Sequence, residues 1–142
     1  YNSYAATDPN IKLDDLLQPG FLNPEYIRYE LHRVWVIEGE LKPRKSHKFT
    51  KRTLYFDEDS WIAVASDLFD QNNVLSHGQF GFVKNYYEHP ACIQDFDVLY
   101  ELDSGRYNVD NLKLEYGPAN LNDPDITDRV FGAGALRRSG GR

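Results

Sequence analysis

The sequence holds one cysteine, Cys92, and no methionine. A lone cysteine excludes an intrachain disulfide framework and a cysteine-built metal cluster. Its expected place is as a small buried residue in a strand. A translated chain begins with methionine, so Tyr1 marks a processed product or a piece of a longer chain, and the lack of a signal peptide carries no weight. Long apolar runs are also missing. The longest, "VWVI" at 34–37, falls far short of the roughly 20 residues of a membrane-spanning helix. Nor is there an excess of positive charge. The formal net charge is −6, which argues against a nucleic-acid partner. Catalytic signatures are absent too. His32, His47, His77 and His89 stand far apart, the serines lack a G-x-S-x-G context, and Cys92 has no activating neighbour. No metal, no cofactor and no enzymatic activity are expected.

What the chain does have is aromatic residues: ten Tyr, eight Phe and two Trp, 14% of the total. These favour strands, and the apolar pattern has a period of two over most of the length. Residues 1–25 form an irregular N-terminal segment, with a short helix over 11–17 stopped by "QPG". From Tyr26 the first strand reads "YIRYELHRVWVIEGEL". Ile27, Tyr29 and Leu31 alternate with Arg28, Glu30 and His32 until the parity shifts near His32–Arg33, which predicts a bulge or burial on both faces. Further strands are expected at about 47–56, 61–69, 74–87, 92–102 and 107–116. The turns between them are "DEDS", "DQNN", "EHP" and "DSGR". Short turns join antiparallel neighbours, so residues 26–117 predict one curved meander of about six strands. An irregular tail follows at 118–142. The fold class is mainly β with little helix, in a single domain.

Four features bear on function. "DEDS" at 57–60 has the D-x-D spacing that opens a calcium loop, but the later ligand positions fall on Trp61 and Leu68, so it reads as a turn. Asp95 and Asp97 share a strand face and are expected to be solvated rather than catalytic. The basic stretch "KPRKSHKFTKR" at 42–52 would suit an anionic headgroup or acidic partner, or would shield the sheet from unwanted pairing. Aromatics on both parities of several strands imply a sheet that encloses its own core or an apolar ligand. Trp35, Tyr55, Trp61, Phe80 and Phe82 are the candidate ligand-binding residues. Gly78 and Gly81, three apart in "VLSHGQFGFV", predict a bend that places Phe80 and Phe82 on the concave side.

The blocks "GFLNPEYIRYELHRVWVIEGELK", "KRTLYFDEDSW", "NYYEHP" and "YELDSGRY" resemble the bacterial domain-of-unknown-function family 1329, from about Gly20 to the closing "ALRRSGGR". Its members are secreted Gram-negative proteins of several hundred residues, similar to the periplasmic lipoprotein carriers LolA and LolB. The resemblance implies the C-terminal part of a longer protein and an antiparallel half-barrel over an apolar cavity. It also implies a periplasmic or outer-membrane location and a lipid or other hydrophobic ligand. An outer-membrane or exporter protein is the implied partner. Docking of a partner through exposed sheet edges is the alternative role.

Overall fold

The computed structural model describes residues 2–112, 122–124 and 126–140. Its centre is an open six-stranded antiparallel sheet in sequence order: β3 (Val34–Glu40), β4 (Lys51–Asp57), β5 (Ala63–Phe69), β6 (Leu75–Tyr86), β7 (Ala91–Glu101) and β8 (Arg106–Asp110). Ahead of it, a one-turn helix, α1 (Leu13–Leu16), leads into a two-stranded hairpin of β1 (Leu17–Gln18) and β2 (Phe21–Leu22). "QPG" therefore does more than stop a helix. It turns this hairpin, with Gly20 at φ +86°, a backbone region that glycine enters without penalty. A second helix, α2 (Ala133–Ser139), follows a 3₁₀ turn at Asp128–Phe131. The good helix formers of "AGALRRS" account for it.

The meander follows the turn chemistry of the sequence. At "DEDS" the Ser60 backbone N–H (2.7 Å) and hydroxyl (2.6 Å) both donate to Asp57 Oδ2, so a short acidic side chain closes the turn. At "DQNN" Asp70 Oδ1 accepts from the backbone N–H groups of Asn72 and Val74, at 2.8 and 2.9 Å. At "DSGR" Gly105 supplies the positive φ of +69°.

Two boundaries differ from the sequence pattern. Residues 26–33 alternate like a strand, yet β3 begins only at Val34. A strand needs a hydrogen-bonded neighbour, and β4 ends at Asp57, the Cα partner of Val34. The parity shift near Arg33 thus marks where pairing starts, and beyond it Trp35, Val36 and Ile37 are exposed on both faces. The pattern for the last strand runs to 116, but β8 closes at Asp110; residues 113–116 lie outside the described residues.

Directly opposed Cα partners share a face of the sheet. Phe82 faces Phe96, and Phe80 faces Val98, while Val98 faces Val109 and Tyr100 faces Tyr107. The N-terminal segment lies on this face. Ala6, Leu16 and Leu22 are buried with Phe82, Phe96 and Val98 in one core cluster. Two bonds tie the segment down: Ser3 N–H donates to the Val83 carbonyl (3.2 Å) and the Tyr107 hydroxyl to the Gln18 carbonyl (2.9 Å).

Asp97 lies on the opposite face, directly across from Asp110. Burial, then the Asp110 charge, raise the Asp97 carboxyl above its ordinary value, while hydrogen bonds from Gln79 and Gln94 oppose the shift. A carboxyl with a raised folded pKa favours the folded state in its protonated form, so its ionisation at neutral pH costs stability. Asp97→Asn is therefore expected to raise the urea midpoint at pH 7. The gain should shrink as pH falls through the raised pKa, and a pH-independent difference would refute the assignment.

Candidate ligand cavity

The residues following "NPEY" cross over the covered face of the sheet instead of joining it. Tyr26 and Ile27 pack against the core cluster. Tyr29 then lies edge-on to two rings of β6, with centroids 6.3 Å from Phe80 and 5.9 Å from Phe82. Phe82 stacks on Phe96 at 4.6 Å and 12°. Phe80 meets Tyr100 edge-on at 6.2 Å, and Tyr100 stacks on Tyr107 at 5.6 Å. A band of rings thus runs from the crossing segment to the far strand.

Between the crossing segment and strands β5 and β6 lies a cavity of about 270 Å³. Its apolar wall is Tyr29, Val64, Ala65, Phe80, Phe82 and Val83, and its polar rim is Arg28, Glu30, His32 and Asp57. An engineered apolar cavity of about 150 Å³ holds benzene, so this space suits one short apolar chain or ring. Burial raises the Tyr29 hydroxyl pKa, with the Tyr100 charge adding to it, and burial likewise raises Tyr100. Both phenols stay neutral, and the aromatic wall carries no charge at any physiological pH.

The rim is a linked set of charges. Arg28 Nε sits 2.8 Å from Glu30, whose other oxygen is 3.2 Å from His32 Nε2. His32 Nδ1 is 2.9 Å from Oδ1 of Asp57, a carboxylate only 2% exposed. Burial alone would raise Glu30, but hydrogen bonds from His32 and Asn2 and the nearby Arg28 charge outweigh it, and the net shift is downward. These contacts hold the crossing segment to the end of β4. Sequence spacing gave no sign of this meeting, because His32 and Asp57 come together only through the β3–β4 pairing. With Asp59, these two residues offer ligand atoms within 4.8 Å of one another. The Asp57 carboxylate, however, is engaged by His32 and Ser60 as described, which is the bonding of a closed turn.

The five aromatic candidates separate in space. Phe80 and Phe82 line the cavity. Tyr55 lies on the same face, two strands away, as the partner of Ala65, which in turn faces Phe80. Its hydroxyl donates to Asp67 at 2.7 Å. Trp35 opposes Phe56 rather than Tyr55, so it points from the other face. Trp61 closes the "DEDS" turn at φ +59° and is 69% exposed. Left-handed backbone costs an L-residue roughly 1–2 kcal/mol, so Trp61→Gly is expected to leave stability unchanged or raise it by up to about 1 kcal/mol in urea unfolding. A clear loss would show that the indole holds the turn. The apolar wall residues that the sequence reading missed are Tyr29, Val64, Ala65 and Val83. Tyr29 had a signal, its place in the Ile27–Tyr29–Leu31 alternation, but that pattern reads equally well as a strand face.

The other sequence features are dispersed. Asp97 lines a separate small pocket with Ser66, Gln79 and Gln94 on the opposite face. In the basic stretch, Lys48 is 2.9 Å from His77 Nε2 and Lys51 is 2.6 Å from Glu38. Lys48 and Arg52 also lie over the Phe49 ring, at 5.4 and 5.7 Å. Lys42, Arg44 and Lys45 remain at the exposed turn. Cys92 is half-buried in β7, and burial pushes its thiol up.

The arrangement is that of an open antiparallel sheet with an apolar cavity covered by the crossing segment. The chain belongs to a family of proteins of unknown function, DUF1329, whose sequence profile matches residues 1–137. An uncharacterized protein of Pseudomonas aeruginosa is 35% identical over all 142 residues, and the match spans 31% of that protein's length. Among solved structures, a DUF1329 family protein from Desulfovibrio piger is similar over 72% of this chain and 40% of its own. Its sequence identity is 15% and its TM-score 0.46. A domain from Vibrio parahaemolyticus described as outer membrane lipoprotein-sorting is similar over 74% and 42%, with 16% identity and a TM-score of 0.45.

Proposed function

We propose that this chain is a non-catalytic binding module whose cavity takes the apolar part of a lipid or other hydrophobic ligand. The periplasm or outer-membrane surface of a Gram-negative cell belongs to the same proposal, as does a role in carrying that ligand to or from the outer membrane. The supporting observation is the cavity between residues 28–32 and strands β5–β6, walled by Tyr29, Phe80 and Phe82 and rimmed by the polar side chains of Arg28, Glu30, His32 and Asp57. An amphiphile matches that division: its chain leaves water against the rings and its head stays at the rim. Apolar burial drives such binding at roughly 25 cal/mol per Å², before ordering costs. Phe80 and Phe82 form the centre of the site and Tyr29 its cover. Tyr55, on the same face two strands away, is an outlying contact for a ligand that extends past the cavity; Trp35, on the other face, and Trp61, at the exposed turn, are left out of the site.

The experiment is organic extraction of the purified protein, with mass spectrometry of the extract. One class of hydrophobic molecule near stoichiometric amounts is expected, and Phe82→Ser should lose it. An extract no richer than that of a control protein purified alongside would contradict the reading.

A further inference from the structure

Strand β3 ends the sheet, and two backbone bonds fix its phase. Leu41 N–H donates to the Thr50 carbonyl (2.7 Å), and Glu58 N–H donates to the Arg33 carbonyl (3.1 Å). Hydrogen-bonded partners alternate along an antiparallel pair. Trp35, Ile37 and Gly39 therefore bond to β4, while Val34, Val36, Glu38 and Glu40 turn their backbone groups outward. No described residue pairs with that outer side.

Native sheets blunt such an edge with lysines, proline, a bulge or a covering element. Within its own seven residues β3 has none of these, and its register with β4 is unbroken. Its apolar side chains are also left in water on both faces. Trp35 is 54%, Val36 58% and Ile37 50% exposed. Just before β3, Leu31 is another apolar side chain left wholly exposed. An unbroken edge of this kind, apolar over Val34–Ile37 and charged only at Glu38 and Glu40, is suited to pairing.

The extent of the Pseudomonas aeruginosa relative says where a partner strand would come from. This chain matches only 31% of it, so more than two thirds of that polypeptide lies outside the match. We propose that the outer edge of β3 is completed by a β-strand of the same polypeptide, lying outside these 142 residues. A tethered strand has a high effective concentration that a separate chain lacks. Its chemistry follows from the edge: apolar residues opposite Val34 and Val36, and a basic or polar residue opposite Glu40. Glu38 already has Lys51 at 2.6 Å. The inference is independent of the cavity and survives if the cavity holds nothing.

Hydrogen exchange read by mass spectrometry tests it, on the gene product purified from its own cells and on the 142-residue chain alone. In the chain alone, the amides of Val36, Glu38 and Glu40 should exchange freely while those of Trp35, Ile37 and Gly39 are protected. In the gene product the first set should slow by about tenfold or more. Free exchange of those amides in the gene product would overturn the proposal, as would a gene product with no polypeptide beyond these residues. A chain that dimerises alone by light scattering, with the same amides protected, would overturn it in favour of a second copy.

Discussion

Replacing Phe96 by alanine is expected to remove about 3–5 kcal/mol of stability. Phe96 is 1% exposed, stacks on Phe82 at 4.6 Å, and lies in the core cluster with Leu16, Leu22 and Val98. Three separate parts of the chain meet at this ring: the N-terminal hairpin, β6 and β7. No single part can move in to fill the space, because each is held by its own backbone bonds. The lost transfer energy is therefore joined by the cost of a cavity. Domains are stable by only about 5–15 kcal/mol in all, so the variant should sit near the edge of folding. Urea unfolding followed by far-UV circular dichroism measures it. With a slope of about 1–3 kcal/mol per molar, the midpoint should fall by at least about 1 M. Phe131→Ala is the control, since that ring is largely exposed, and it should change little. A Phe96→Ala loss below about 1 kcal/mol would mean that the N-terminal segment does not complete the core.

Gly81→Val is expected to cost about 1–3 kcal/mol through overpacking, although valine is much the better strand former. A Cβ at Gly81 would stand 3.0 Å from the Ala63 carbonyl oxygen and 3.1 Å from Gln94 Cδ. The glutamine can swing aside, but the carbonyl is backbone at the start of β5 and moves only with the strand. The register between β6 and β7 shifts just beyond, between Phe82 and Val83, so the surrounding ladder is already irregular. Gly78 is the internal comparison. A Cβ there meets nothing within 4 Å, so Gly78→Val should be neutral or stabilise by up to about 1 kcal/mol. The sequence gives the two glycines a shared geometric need, but the structure assigns the close approach to Gly81 alone. Equal midpoints for the two variants would refute that assignment.

The pair also shows how far sequence reading reaches. Period-two alternation and turn residues are local, and they located β4 to β7 to within a few residues. "DEDS" could be read as a turn because the bonds that close it lie within four residues. What depends on tertiary pairing could not be read. Tyr26–His32 has the alternation of a strand, but alternation records which side chains share a face, not whether a neighbour exists. The same limit hid the contact of His32 with Asp57. Residues 1–25 carry few periodic signals, yet Leu16 and Leu22 are core residues, because a one-turn helix and a short hairpin can each bury a side chain without any period. Of the site, Phe80 and Phe82 were legible from their shared parity. Tyr29, which covers them, belongs to a segment whose path across the sheet no local rule dictates.

The central proposal is that an apolar chain occupies the cavity walled by Tyr29, Val64, Ala65, Phe80, Phe82 and Val83. Photo-crosslinking most directly tests it, using a fatty acid that carries a diazirine on its alkyl chain, with the labelled residues mapped by mass spectrometry. The account predicts labels concentrated on Tyr29, Val64, Phe80, Phe82 and Val83, competed away by unlabelled fatty acid. Labels spread over Trp35, Ile37 and Trp61 with none in the cavity, or labelling that unlabelled fatty acid does not reduce, would contradict it.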